Sequence, residues 1–283
     1  MANFKKHFKY YFILFLFLSA AFVWLAVYLE TRKNLLVAFL DVGQGDAVFI
    51  QAPNGNQILV DGGPNKAILR ELSKVMPFYD RTIDGIILTH PHLDHYAGLM
   101  EAARKYDINF EMDPGVKTEG EAFALFEDVL REKGLRRIYG KRGMRLVLDK
   151  DIYLEILLPA INNENLSEHD GMLVSRLVYG NNSFLLTGDM EENLEEYLIA
   201  TGAAIGSDVL KVAHHGSKTS SSEKFLGWVS PDLAVISVGK NNKYGHPHEE
   251  VTGRLEKFEI PILRTNESKT IKIKSDGEKI FVQ

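Results

Sequence analysis

Thr89-His90-Pro91-His92-Leu93-Asp94-His95 follows directly on the apolar run Gly85-Ile86-Ile87-Leu88. Three histidines and one carboxylate therefore crowd together where a strand ends. His90 and His92 stand two apart and project from the same side of an extended segment. Asp94 and His95 open the next element, a helix running to about Lys105, and can face a neighbouring position. Imidazole nitrogen combined with carboxylate oxygen suits zinc, manganese or iron, and two adjacent groups of such donors suit a two-metal site.

Similar residues recur at other strand ends. Asp189 closes Phe184-Leu185-Leu186-Thr187-Gly188, and His214-His215-Gly216-Ser217 follows Leu210-Lys211-Val212-Ala213. A carboxylate at Asp189 can bridge two cations, and a histidine at the second place can complete one shell. If the strand continues through both histidines, they point to opposite sides and one of them is the ligand. Asp61, ahead of Gly62-Gly63-Pro64, suits a supporting role through hydrogen bonds to a ligand or loop. Gly43-Gln44-Gly45-Asp46 lacks the Gly-Lys-Ser/Thr ending of a phosphate loop and precedes no helix. It reads as a tight connection between strands, with Asp46 near the metals.

The periodicity predicts strands over 35–42, 47–51, 57–60, 145–148, 152–158, 173–179, 183–186, 209–213 and 233–238. Helices are expected from Pro64 to about Val75, over 94–105, 120–132 and 191–200, and from about Glu249 to Lys257. Strands and helices mixed in this order suit an α/β domain of two sheets packed face to face with helices outside.

The chain has 283 residues, 45% of them hydrophobic and 25% charged, an ordinary globular composition. A net charge of -5 gives no global sign of a nucleic-acid binder. With no cysteine, disulfide scaffolds, thiolate metal sites and cysteine nucleophiles are excluded. The segment 131–145 is nonetheless basic, through Arg131, Lys133, Arg136, Arg137, Lys141, Arg142 and Arg145. It could track a nucleic-acid backbone, rest on anionic headgroups, or form a solvated face.

Residues 10–29 carry no charge and are rich in Phe, Leu, Ile, Val and Ala. Twenty helical residues span about 30 Å, the thickness of the hydrocarbon core. We expect a transmembrane helix over 10–29 behind a cytoplasmic N-terminus, 1–9. A signal peptide cleaved near Ser19-Ala20-Ala21 is the competing reading, and the apolar run continues past that point. Lys5, Lys6 and Lys9 precede the span and Arg32 and Lys33 follow it, a bias that puts the domain outside the cytoplasm.

Asp61, the His90/His92/Asp94/His95 cluster, Asp189 and His215 together resemble the metallo-β-lactamase fold superfamily. Within it, the chain is similar to the hydrolase domain of DNA-internalisation competence proteins. That likeness rests on Phe39-Leu40-Asp41-Val42-Gly43-Gln44-Gly45-Asp46-Ala47, on 184–189, on 210–217 with Ser220 and Ser221, and on Tyr244-Gly245-His246-Pro247-His248. The resemblance implies a four-layer αββα sandwich over 35–283. It implies two divalent metal ions, zinc or manganese, with His90 and His92 on one, Asp94, His95 and His215 on the other, and Asp189 bridging. Superfamily members add a further histidine to the first metal, and His169 stands at about that place. The competence-like group has an Asn- and Ser-containing stretch there, so His169 is either a ligand or a loop histidine. Asp94 would also orient the nucleophile, His214 would contact a substrate phosphate, and His246 would protonate a leaving group or bind phosphate. For His214 and His246 the alternatives are structural or solvent-facing histidines.

The implied function is a membrane-anchored, extracytoplasmic hydrolase, a phosphodiesterase or nuclease acting on DNA in competence-type DNA processing. One span cannot form a channel, so any part in uptake would need a separate channel partner. Another surface substrate (a teichoic-acid phosphodiester, a lactone or a β-lactam) is the enzymatic alternative. A non-catalytic DNA-binding module is the alternative of another class.

Overall fold

The computed structural model describes residues 2–31, 34–116, 118–160 and 171–283. Helix α1, Ala2–Thr31, comes first, and its stretch His7–Leu25 is long and apolar enough to cross a membrane. Strands then follow in quick succession: β1 (Leu35–Phe39), β2 (Val48–Gln51), β3 (Gln57–Val60), β4 (Thr82–Ile87), β5 (Asp107–Asp113) and β6 (Arg136–Tyr139). The next run is β7 (Arg145–Asp149), β8 (Ile152–Leu158), β9 (Val174–Tyr179), β10 (Asn182–Leu186), β11 (Val209–Lys211), β12 (Leu233–Ile236) and β13 (Ile262–Arg264). The chain returns to the first sheet with β14 (Ile271–Ser275) and β15 (Ile280–Val282).

Among the described residues, one sheet has the order β15-β14-β1-β2-β3-β4-β5-β6 and the other β13-β12-β11-β10-β9-β8-β7. They pack face to face. Val37, Phe39, Ile50, Val60 and Ile87 of the first sheet share one buried cluster with Leu154, Ile156, Leu177, Phe184 and Val235 of the second. The outer face of the first sheet is covered by α2 (Ala67–Leu72), α3 (Leu93–Lys105) and α4 (Glu121–Glu132) through Leu72, Leu99 and Phe126. The outer face of the second is covered by α5 (Glu192–Ala200), α6 (Glu223–Val229) and α7 (Glu249–Lys257) through Leu198, Phe225 and Val251. The layers are therefore helix, sheet, sheet, helix, as expected. Strands β3, β10 and β11 are buried throughout, the polar Gln57, Asn182, Ser183 and Lys211 included.

Two differences from the sequence reading have clear causes. Strands β5, β6 and β13 to β15 were not anticipated. β5 starts with a polar Asp-Ile-Asn and carries Glu111 inside, and β6 is half basic, so neither shows a clean apolar period. The segment 209–213 is also shorter as a strand, because β11 stops at Lys211 and a tight turn begins at Ala213.

The parallel strands β3, β4, β10, β11 and β12 all deliver their C-terminal ends to one end of the sandwich. Helix α3 is clamped to the loop after β3. The Gly62 amide donates to the His95 carbonyl at 2.7 Å, and the Gly98 amide to the Gly63 carbonyl at 2.8 Å. A Cβ on Gly98 would stand 1.8 Å from the Gly62 carbonyl oxygen, so only glycine allows this approach. Gly98→Ala is expected to push α3 outward, lower stability by at least about 1–3 kcal/mol and weaken metal uptake through Asp94 and His95. Urea unfolding and metal content of the purified variant check this; a wild-type midpoint would show that the clamp is not needed.

Candidate metal centre

His90 leaves the end of β4 fully buried, and the chain turns at once into α3, with His92 in extended conformation at its N-cap. The Thr89 hydroxyl donates to Asp61 Oδ2 at 2.7 Å, and the Thr89 amide donates to Asp61 Oδ1 at 2.9 Å. Having spent its proton, the hydroxyl accepts from His90 Nδ1 at 3.0 Å. The His90 lone pair therefore lies on Nε2, which sits 2.9 Å from His92 Nδ1 and 3.8 Å from Asp189 Oδ2. Asp61 Oδ2 also accepts from His95 Nδ1 at 2.8 Å, which aims His95 Nε2 inward, 3.4 Å from Asp189 Oδ2. Asp61 thus orients the histidines from behind, the supporting role expected of it.

His214 and His215 do not lie in a strand. Both adopt left-handed backbone conformations, with φ of 49° and 54°. The expected division into opposite strand faces is replaced by a tight turn, held by the Ser217 amide donating to the His214 carbonyl at 2.8 Å. His215 goes inward. Its Nδ1 donates to the Ser237 carbonyl at 2.9 Å, leaving Nε2 3.5 Å from both Asp94 Oδ2 and Asp189 Oδ2. His214 stays at the mouth, with 26% of its side chain exposed and Nε2 3.9 Å from Asp189 Oδ2.

Two donor groups result, one of His90, His92 and Asp189, the other of Asp94, His95 and His215, each with ligand atoms within 4.8 Å of one another. Asp189 Oδ2 touches on both. The donor chemistry fits divalent cations. His95 Nε2, His215 Nε2 and Asp189 Oδ1 are buried polar atoms with no hydrogen-bond partner, which is costly unless something else satisfies them. Charge balance points the same way. Burial disfavours a proton on His95, yet Asp189 and Asp61 hold it well above the ordinary histidine range. Burial likewise opposes a charge on His215, and Asp189 and Asp46 still push it up to about 10. A carboxylate-rich cavity that holds protons this firmly is one that a cation can take over. His169 lies outside the described residues.

Asp46 and Lys211 complete the inner wall. Lys211 is almost wholly buried; its ammonium pairs with Asp46 Oδ2, donates to the Gly188 carbonyl at 2.9 Å and lies 4.0 Å from Asp189 Oδ1. Asp46, Asp189 and His215 form a further group able to hold a cation. Gly45 makes room for this loop, since a Cβ there would meet the Asp94 carbonyl oxygen at 2.3 Å. Lys211 was missed in the sequence. The signal was there, as a lysine inside Val209-Leu210-Lys211-Val212 has no reason to be buried without an anionic partner.

The opening above is a cavity of about 130 Å³ lined by Gln44, His92, Asp94, Asp189, His214, His215, Tyr244 and His246. Tyr244 stacks on His246, with ring centroids 5.6 Å apart. Burial and the neighbouring His215, His248 and His214 lower His246 to about 4, so it is neutral at pH 7. As a neutral imidazole it can donate or accept a hydrogen bond, but it holds no proton in reserve as an imidazolium. His248 packs edge-on against His246, with ring centroids 4.8 Å apart, and accepts from the Lys218 amide at 3.0 Å.

Part of the basic segment 131–145 is neutralised by carboxylates. Arg131 pairs with Asp128, Arg137 with Asp113 and with Glu127 at 2.8 Å, and Arg145 with Glu155 at 3.0 Å. Arg142 donates to the Thr201 carbonyl at 3.3 Å.

A family model described as the metallo-beta-lactamase superfamily matches residues 40–240. ComE operon protein 3 of Bacillus subtilis is 32% identical over 253 residues, covering 83% of this chain and 32% of that protein. Recombination protein 2 of Haemophilus influenzae is 32% identical over 258 residues, covering 89% of this chain and 30% of that protein. Competence protein ComA of Neisseria gonorrhoeae is 30% identical over 240 residues, covering 83% and 31%. The chain thus spans about a third of the length of these curated relatives. Among solved structures, CmlA, a diiron beta-hydroxylase from Streptomyces venezuelae, superposes with a TM-score of 0.52 at 14% identity, over 82% of this chain and 52% of that one. That likeness is one of fold.

Proposed function

The chain belongs to the metallo-beta-lactamase superfamily, and on that premise we propose that it is a membrane-anchored, metal-dependent phosphodiesterase acting on DNA outside the cytoplasm. The observation that carries the reading is Asp189 Oδ2, placed 3.4–3.8 Å from the inward nitrogens of His90, His95 and His215. His90, His92 and Asp189 would hold one divalent cation, zinc or manganese, and Asp94, His95 and His215 a second. Cations bound there supply Lewis acidity and lower the pKa of water. Asp94, at the rim of the cavity, orients the attacking water. His214 and neutral His246 flank the opening and hydrogen-bond the phosphate oxygens. Asp61 and Thr89 keep the rings of His90 and His95 in place, with their Nε2 atoms turned inward. DNA as substrate is supported by the similarity to competence proteins, and the anchor by the apolar stretch of α1.

The test is cleavage of labelled single- and double-stranded DNA by the full chain in detergent with Mn²⁺ or Zn²⁺, beside Asp94→Ala and a chelated sample. Metal-dependent cleavage that Asp94→Ala lowers by about 100-fold or more is expected. Intact DNA alongside metal-dependent turnover of a small phosphodiester or ester would replace DNA with another surface substrate. Failure to bind metal would leave only a non-catalytic module.

A further inference from the structure

The end of the sandwich opposite the metal centre has its own character. Phe78 and Tyr79 form an edge-to-face pair in the loop between α2 and β4, 86% and 62% exposed, far more than large aromatics that serve a core. Beside them runs a groove of about 410 Å³, whose walls include Asn34, Leu36, Met76, Lys74, Lys272 and Lys274. Lys74 is held at 2.6 Å by buried Glu71, but among the described residues no carboxylate pairs with Lys272 or Lys274. Among the described residues the acidic side chain lining the groove is that of Asp80, occupied by Gln57 Nε2 at 2.7 Å and by Thr82.

The position of this groove in the chain is the second observation. Asn34 stands three residues after Thr31, the last residue of α1, so at most about 11 Å of extended chain separates them. The groove is tied to wherever the apolar helix leaves the bilayer. The same strands that start here end at the metal centre. β4 starts at Thr82, beside the Phe78–Asp80 loop, and leads to His90, about 26 Å further on at about 3.3 Å per residue.

We propose that this rim is a second membrane contact, with Phe78 and Tyr79 in the interfacial layer and Lys272 and Lys274 on anionic lipid headgroups. The proposal rests on the anchored reading above. Aromatic rings favour the headgroup level, and each lysine near an anionic surface adds attraction. Two contacts, the helix and the rim, stop the domain from tumbling on its short tether. They also stand the metal centre on the far side, opening away from the lipid. That orientation suits a polymer arriving from solution and does not suit a substrate embedded in the bilayer.

The absence of cysteine makes the test direct. The full chain carrying a single cysteine at Leu16, Phe78 or Lys240 is labelled with a polarity-sensitive fluorophore. It is then reconstituted in phosphatidylcholine vesicles containing spin-labelled lipid, with or without phosphatidylglycerol. Lys240 is exposed and follows Gly239, whose amide donates to Gln44 at the metal-site end. Quenching is expected at Leu16 and Phe78 but not at Lys240. In the double variant Lys272→Gln/Lys274→Gln the equilibrium constant for docking should fall by about five-fold per lysine, and omission of phosphatidylglycerol should act in the same direction. Quenching at Leu16 alone would overturn the docking while leaving the anchor standing. No quenching at Leu16 would sink the anchor and the docking together. Quenching at Lys240, or at Phe78 regardless of phosphatidylglycerol and lysines, would overturn the orientation or the choice of anionic lipid.

Discussion

Asp189→Asn is expected to lower metal affinity at both donor groups by well over about 100-fold, leaving the fold intact. Loss of a group that merely supports a ligand costs about 10–100-fold, and in the proposed site Asp189 would be a direct donor shared between two cations. Its oxygens lie within reach of His90, His95 and His215. Burial alone would favour the neutral acid, but the charges of His215, His95 and His90 hold its carboxyl well below the usual range, so the native side chain is an anion. Asparagine keeps the shape and removes that charge. Metal per chain after dialysis, with circular dichroism as the control for folding, reads the result. If one equivalent of metal survives, Asp189 serves only one of the two donor groups, and Asp94, His95 and His215 hold a cation without it.

Lys211→Met is expected to cost about 3–5 kcal/mol of stability, the penalty of leaving a buried charge unpaired. The ammonium lies with 2% of its side chain exposed against Asp46, and methionine fills much the same volume without the charge. For a chain of this size that is roughly a 10 °C fall in melting temperature. Burial would raise Asp46, while Lys211 and His215 hold it below the usual carboxylate value. In the variant only the histidines His215 and His95 remain to do so. The double variant Lys211→Met/Asp46→Asn should recover most of the loss, because the orphaned carboxylate is gone as well. Equal losses in the single and the double variant would mean that Lys211 acts through packing and its bond to the Gly188 carbonyl.

The ligand-type residues were legible because each stands where an apolar run stops. Leu88 to His90, Leu186 to Asp189 and Ala213 to His215 are local patterns, visible without knowing which strands are neighbours. Tautomers and directions were not legible. They depend on Thr89 and Asp61 behind His90 and His95, and on Ser237 behind His215, contacts made across distant parts of the chain. The basic segment 131–145 left three readings open for a related reason: Arg131 pairs within its own helix with Asp128, but the partners of Arg137 and Arg145, Asp113, Glu127 and Glu155, come from other elements.

By itself the sequence determined the class of the fold, the apolar N-terminal helix and the inventory of imidazoles and carboxylates, because periodicity, length and residue chemistry are local properties. Only the tertiary structure decided that His214 and His215 share a left-handed turn, and that a lysine sits buried against Asp46. It also placed the end next to the apolar helix and the candidate metal centre at opposite ends of the same strands. These are outcomes of strand order and close packing between residues far apart in the chain, and no local pattern encodes them.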